Sequence, residues 1–239
     1  MIAPVITSFM NLFRVSNLPT VWSNVLAALL LSEAPFLLSS FLTLTLSLSL
    51  FYAAGMALND ICDAGVDAVQ RPSRPIPAGK IRLKTAQTVV AALFISAFVI
   101  LFTLPHGAAA ISSAMLLMGI IVIYDLYHKG NPLSVLLMAG CRFMVYITAG
   151  FGVDGKIEGA VLTIGLIQSG YIVLLSVAAR FENSMAQRFT FPLIPLMLAG
   201  ICTVDGIYLS VALHSPVWLC AGAGGMIVTM VSQKYVRGD

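Results

Sequence analysis

Long apolar runs follow one another through almost the whole chain, with linkers of only a few residues between most of them. Eight such runs occupy roughly 17–32, 36–60, 85–104, 107–127, 133–151, 159–180, 191–213 and 216–233. Each is close to the ~20 residues that a helix needs to cross a bilayer. Only 10% of the residues are charged, whereas a soluble domain carries about 25%. The sequence therefore predicts an all-α membrane protein, a single bundle of about eight transmembrane helices over residues 1–239.

The basic residues are distributed unevenly between the two sides of this predicted bundle. The segment 1–18 contains Arg14 and has no small-residue cleavage site, which favours an interfacial helix over a signal peptide. With the N-terminus inside, 11 of the 13 Lys and Arg residues fall on one side, leaving Lys156 opposite and Arg142 within a helix. Because Lys and Arg accumulate in cytoplasmic loops, we expect both termini and the motif loops on the cytoplasmic side of an integral multi-pass protein.

The net charge and the cysteines exclude other classes of protein. A net charge of +3, concentrated in a few loops, argues against binding to DNA or RNA. The four cysteines form no CxxC pair, and three lie in apolar runs, so neither disulfides nor zinc are expected.

Acidic residues cluster where the second apolar run ends. Asn59, Asp63 and Asp67 recur every four residues, so a continuing helix would align them on one face. Like charges at this spacing repel unless a cation joins them. Hard divalent ions such as Mg²⁺ take carboxylate and amide oxygens and keep waters that phosphate can displace. The pattern predicts a metal–diphosphate site with these three ligands and Asp60 as support; a solvated acidic helix end is the alternative.

Basic and aromatic residues that could bind a diphosphate follow on the same side. Arg71 and Arg74 lie in a proline-stiffened loop, and Arg suits bidentate phosphate contacts. Lys129 lies in the next such loop, beside Tyr124, whose hydroxyl could bind a phosphate oxygen. An ordinary positive-inside loop and an interfacial aromatic belt are the alternatives for these residues taken singly.

Two charged residues lie inside predicted spanning helices. Arg142 is about half way along the fifth, and an intramembrane charge is costly unless it faces a partner or a wet cavity. Asp205 lies in the seventh, where pairing with a neighbouring helix and a functional role are equally favoured.

These segments together resemble the UbiA-type intramembrane prenyltransferases. The resemblance covers Asn59 to Gly79, with its Arg-Pro-x-Arg-Pro-Ile-Pro continuation, Tyr124 to Lys129, and Arg14-x-x-Asn17-x-Pro19 with Asn24. Tyr-Asp-x-x-His-Lys-x-Asn-Pro-Leu-Ser and the later Ala-Arg-x-Glu-Asn are most similar to the EboC-like branch.

The resemblance implies a bundle with a central cavity open to the cytoplasmic side, where Mg²⁺ and a polyprenyl diphosphate bind. The prenyl group passes to a lipophilic acceptor within the membrane, and pyrophosphate leaves. Membrane lipids surround the protein, and no protein partner is indicated. The implied catalytic residues are Asp63, Asp67 and Lys129. The implied diphosphate ligands are Arg71, Arg74, Tyr124, Lys129 and Arg180, and the implied cavity residues are Asn24, Arg142, Tyr146, Glu182 and Asn183.

Two features depart from the family pattern. The second Asp-rich motif should end the sixth helix, where Glu182 is the only acidic residue. We expect Arg180 to contact the diphosphate in place of a second ion. The predicted eight helices are also one fewer than the family's nine.

Two further functions are compatible with the sequence. A non-catalytic isoprenoid- or lipid-binding membrane protein fits the altered second motif, and pyrophosphate release distinguishes it from an enzyme. A small-solute transporter would use Arg142 and Asp205, although the chain has no repeated halves.

Overall fold

The computed structural model describes residues 2–184 and 191–236, and within these ranges the regular structure is helical. A single 3₁₀ turn, Val15–Asn17, separates the first two α-helices. The α-helices are α1 (Ile2–Leu12), α2 (Leu18–Leu30), α3 (Leu38–Gln70), α4 (Leu83–Leu101), α5 (Gly107–Tyr127), α6 (Ser134–Asp154), α7 (Gly159–Ser184), α8 (Leu193–Ala212) and α9 (Val217–Gln233).

Eight of these helices correspond to the predicted apolar runs, and α1 lies in the segment predicted as interfacial. The predicted end of the second run at residue 60 is wrong, because α3 continues to Gln70. Residues 61–70 contain no proline, and the helix stops at Arg71, whose backbone leaves the helical region directly before Pro72. The acidic segment is therefore helical throughout.

Six helices, α3 to α8, are long and apolar enough to cross a membrane, and Val15–Leu30 and Val217–Gln233 are shorter apolar stretches. Large apolar side chains point outward on several of them; Leu116 is 64% exposed, Leu174 65% and Val211 70%. In water such a surface would be unfavourable, whereas in lipid it is solvated. The chain is an integral membrane protein.

Consecutive helices pack as neighbours, and α2 lies among four of them. The pairs α3–α4, α5–α6, α6–α7 and α8–α9 share the largest interfaces, while α2 contacts α3, α6, α8 and α9. Helices α8 and α9 approach closely at two glycines: a Cβ added to Gly206 would lie 2.8 Å from the Cα of Gly222. Because of its central position, α2 can join polar groups from α6 and α8.

A cavity of about 1700 Å³ extends into the bundle from one end. At this end, hereafter the motif end, α3, α5 and α7 finish and α4, α6 and α8 begin. The cavity reaches Leu48 of α3, which is twelve residues before Asp60 and therefore about 18 Å deeper along the helix.

Candidate active site

Asn59 and Asp63 face the end of α5. The Asn59 side-chain amide donates a hydrogen bond to Oδ1 of Asp125 at 3.1 Å. Asp63 Oδ1 lies 2.7 Å from Nζ of Lys129 and 3.5 Å from Nε2 of His128. The first predicted ligands and the predicted basic residue Lys129 therefore meet at one place.

Asp60 and Asp67 share one arginine. Nη1 of Arg74 lies 3.2 Å from Oδ1 of Asp60 and 2.6 Å from Oδ2 of Asp67, and both carboxylate side chains are about 95% buried. The two aspartates are seven residues apart, so they lie on one face of α3 two turns apart. Oδ1 of Asp60 also pairs with Nη2 of Arg14 at 3.0 Å. Asp67, which the sequence predicts as a metal ligand, thus forms an ion pair with Arg74.

Sequence reasoning missed two residues of this site, Arg14 and Asp125. Arg14 adopts a left-handed backbone conformation, with φ of 45°, and is 8% exposed, and its side chain donates a hydrogen bond to Asp60 of α3. Left-handed backbone is costly for a residue with a side chain and concentrates at functional sites. Asp125 is 4% exposed. Arg14 lies just before an apolar run and Asp125 lies near the end of one, and a charge in such a position is a signal that could have identified both.

A buried carboxylate oxygen at the motif end has no partner among the described residues. It is Oδ2 of Asp125, beside Asn59 and near Asp63. Hard oxygen donors of this kind suit Mg²⁺. Among the residues that the structure describes, a compact set of three acidic side chains with oxygens within 4.8 Å occurs elsewhere, at Glu33, Asp154 and Glu158. The motif-end donors fit a divalent ion by their chemistry.

The predicted diphosphate ligands all line the cavity. Arg71 is exposed, and the side chain of Lys129 is 46% exposed, so both can receive an anion. The ring of Tyr124 stacks on that of His128 with centroids 5.1 Å apart. Arg180 donates hydrogen bonds to the backbone oxygen of Asn131 at 2.8 Å and to Oγ of Ser134 at 2.6 Å.

A second polar group lies deeper, between α2, α6 and α8. Asp205 accepts hydrogen bonds from Ser23 at 2.5 Å, Asn24 at 2.8 Å and the hydroxyl of Tyr146 at 2.5 Å. Oδ1 of Asn24 in turn accepts one from Nη1 of Arg142 at 2.8 Å. Asn24, Tyr146 and Asp205 are buried, and Arg142 lines the cavity. The structure therefore joins three predicted cavity residues, and Asp205 pairs with neighbouring helices.

The altered second motif lies at the end of α7. Glu182 is half-buried and lines the cavity. The side chain of Asn183 lies outside the described residues, as do residues 185–190.

Comparison with known proteins gives the family. Residues 17–238 match the model of the UbiA prenyltransferase family. A digeranylgeranylglyceryl phosphate synthase of Methanoculleus marisnigri is 28% identical over 178 residues, which are 72% of this chain and 60% of that protein. The synthase of Methanococcus aeolicus is 32% identical over 155 residues, 63% of this chain and 53% of that protein. The chain thus spans little more than half the length of these relatives.

The fold agrees with a solved structure. A UbiA homologue from Archaeoglobus fulgidus, bound to GPP and Mg²⁺, superposes with a TM-score of 0.64 and 11% identity over 95% of this chain and 97% of that one. At this identity the likeness concerns the fold alone. With a family model that matches nearly the whole chain and a shared fold, this protein belongs to the UbiA prenyltransferase family.

Proposed function

We propose that this chain transfers a prenyl group from a polyprenyl diphosphate to a lipophilic acceptor within the membrane. The observation that carries the proposal is one continuous cavity whose motif end is lined by carboxylates and basic side chains and whose inner part is lined by apolar ones. The apolar lining includes Leu48, Phe51, Leu117, Ile121 and Val145. Such a cavity matches a substrate that has a charged head and an apolar tail.

The diphosphate would bind at the motif end. Asn59, Asp63 and Asp125 would hold Mg²⁺, which would supply positive charge to the leaving diphosphate. Asp67 and Asp60, which both pair with Arg74, would join this set as Arg74 turns toward the diphosphate. Arg71, Arg74 and Lys129 would bind its oxygens, with Tyr124 as a hydrogen-bond donor.

Prenyl transfer would occur just below this charged end. The bond between C1 of the prenyl group and the diphosphate oxygen breaks, and its electron pair leaves with pyrophosphate. A nucleophilic atom of the acceptor then bonds to C1 and releases its proton to solvent. Phe51 and the aliphatic wall exclude water, which would otherwise capture the carbocation-like centre.

The relatives indicate a class of acceptor. The two relatives are digeranylgeranylglyceryl phosphate synthases, which supports an acceptor with an isoprenyl chain and a glyceryl phosphate group. Membership of the EboC-like branch stays a prediction. The cytoplasmic position of the motif end also stays a prediction, supported by the basic residues that collect there.

The experiment is pyrophosphate release from farnesyl or geranylgeranyl diphosphate by the detergent-purified chain, with and without Mg²⁺ and a pool of lipophilic acceptors. We expect release to require Mg²⁺ and to fall about 10²- to 10³-fold in Asp63→Ala, because the leaving group loses its charge stabilisation. Asp154→Ala, at the opposite end of the bundle, is the matched control and should keep full activity.

A second function, a non-catalytic isoprenoid-binding protein, is favoured by the single acidic residue Glu182 in the second motif. Binding of the diphosphate without pyrophosphate release, whatever the acceptor, would support this function and contradict the proposed transfer.

A further inference from the structure

Arg142 carries a positive charge inside the bundle without a carboxylate in contact. It lies in α6, eight residues from Ser134 and therefore about 12 Å below the start of that helix. Among the described residues no acidic oxygen is within ion-pair distance of its guanidinium. Its Nη1 donates to neutral atoms instead, Oδ1 of Asn24 at 2.8 Å and Oγ1 of Thr20 at 3.3 Å. A charge at this depth is costly unless a partner compensates it.

The carboxylate of Asp205 is linked to Arg142 through one intervening residue, Asn24. Asp205 binds the amide nitrogen of Asn24, while the amide oxygen of Asn24 binds Arg142. The same carboxylate also accepts hydrogen bonds from Ser23 and from the Tyr146 hydroxyl. Asn24 therefore separates the two charges and fixes the guanidinium, which keeps part of its surface toward the cavity.

A buried amide lies at a similar depth on the next helix. In the antiparallel pair α6–α7, Ser169 contacts Ala139 and Gly165 lies against Phe143, so Gln168 is two residues, about 3 Å, nearer the motif end than Arg142. Gln168 is fully buried, and among the described residues neither its nitrogen nor its oxygen has a hydrogen-bond partner. It is one turn below Ile172, which lines the cavity on α7. Two polar groups of this region are thus incompletely paired.

We infer that Arg142 binds an anionic group of the acceptor, a carboxylate or a phosphate, in the cavity about 10 Å inward from Asp125. Asn24 and Thr20 are positioning residues that hold the guanidinium, and Gln168 is a second hydrogen-bonding group for the same anion. The inference rests on the proposed prenyl transfer and specifies the acceptor class for it.

The depth of Arg142 fits this assignment. Gly140 lies beside Ile120 of α5, which puts Arg142 level with Met118. Asp125 is seven residues further along α5, about 10 Å toward the motif end. This separation accommodates the reacting carbon and a compact headgroup between the diphosphate and the guanidinium. A diphosphate bound beside Asp125 would not reach Arg142 directly.

The test measures binding at both ends of the cavity separately. The purified full chain is saturated with Mg²⁺ and farnesyl S-thiolodiphosphate, a slowly reacting analogue, and then titrated with matched probes. One pair is geranylgeranylglyceryl phosphate and geranylgeranylglycerol; the other is 4-hydroxybenzoate and its methyl ester. We expect the anionic member of one pair to bind about tenfold or more tighter than its neutral partner, and the pair that shows this identifies phosphate or carboxylate.

Variants then assign the preference to particular residues. Arg142→Met should remove the preference and leave the affinity for the thiolodiphosphate unchanged, while Arg142→Lys should retain part of it. The near-isosteric Thr20→Val and Gln168→Leu should weaken the anionic probe about threefold and leave the neutral probe unaffected. Arg71→Gln should weaken the thiolodiphosphate alone.

Three results would overturn the inference. If Arg142→Met still binds the anionic probe more tightly than its neutral partner, the anion binds at another residue. If the preference for the anionic probe disappears once the thiolodiphosphate is bound, the anionic probe occupies the diphosphate site. Binding of the thiolodiphosphate with no preference for either anion overturns the inference and leaves the proposed transfer standing, whereas failure to bind the thiolodiphosphate with Mg²⁺ contradicts the proposed transfer itself.

Discussion

Acidic residues gather at both ends of this bundle, but in opposite environments. At the motif end Asp60, Asp67 and Asp125 are at least 95% buried and line the large cavity. At the other end Glu33 is exposed and Glu158 half-buried, and both pair with the exposed Lys156 at 2.6 and 2.7 Å.

Close spacing of carboxylate oxygens and burial from solvent thus indicate different ends of the bundle as the candidate metal site. The oxygens of Glu33, Asp154 and Glu158 lie within 4.8 Å of one another, yet Lys156 already pairs with Glu33 and Glu158 there. Ion pairs of that kind contribute little to stability. The motif-end carboxylates are removed from solvent and therefore need compensating charge, which Arg14, Arg74 and Lys129 supply in part.

The largest expected effect comes from Asp125, the acidic residue of the site that sequence reasoning missed. Asp125→Asn removes the charge of its unpartnered oxygen while keeping the shape of the side chain. We expect pyrophosphate release to fall about 100-fold or more, because the leaving group loses metal stabilisation. Initial rates at saturating diphosphate over a range of Mg²⁺ concentrations are the measurement.

Asp154→Asn applies the same substitution at the opposite end and should leave the rate unchanged. Equal losses in the two variants would remove the distinction between the two acidic clusters.

The next effect is on stability and concerns Arg74. Arg74→Gln leaves Asp67 without its partner and Asp60 with Arg14 alone. Because removing one member of a buried pair leaves an uncompensated charge, we expect a loss of about 3 kcal/mol in the free energy of unfolding. Thermal unfolding in detergent, followed by tryptophan fluorescence, measures it.

Arg82→Gln, in the exposed part of the same basic segment, is the control for Arg74→Gln and should not alter unfolding. An unchanged midpoint in Arg74→Gln would mean that the two aspartates are compensated by other groups.

The sequence predicted the acidic face of α3 because four-residue spacing depends only on helical geometry. It did not predict that Arg74 joins Asp60 to Asp67, since this pairing depends on how the loop after α3 folds back. The network around Asp205 joins residues more than 100 positions apart, from Asn24 to Arg142 and Asp205. Individual charges in apolar runs can be noticed in a sequence, but only helix packing decides which of them meet.

Arg180 provides a smaller and more specific test of the motif end. In the structure it binds the Asn131 backbone and Ser134, next to the loop that carries Lys129. If it contacts the diphosphate in place of a second ion, Arg180→Ala should raise the KM for the prenyl diphosphate about tenfold with a smaller change in kcat. Steady-state kinetics at fixed Mg²⁺ measures both.

Unchanged affinity for Mg²⁺ and diphosphate in Arg180→Ala would show that Arg180 only holds the loop between α5 and α6. Ser134→Ala removes one of its hydrogen bonds without removing the charge, and should leave KM nearly unaltered.

The smallest effect is expected at Lys156, in the acidic cluster at the end of the bundle opposite the motif end. Hydrogen bonds to Glu158 and Glu33 raise the pKa of Lys156 above its ordinary value of 10.5. A raised lysine pKa contributes stability that is fully present below the unfolded-state pKa and is lost as pH rises through the folded-state pKa. Any contribution of Lys156 is therefore constant near neutral pH and disappears only under strongly alkaline conditions.

Because the group is exposed, we expect Lys156→Met to unfold at the same temperature as the unmodified chain near neutral pH. A clear destabilisation that high salt abolishes would show that this end also depends on its ion pairs, and the contrast between the two ends would then be one of degree.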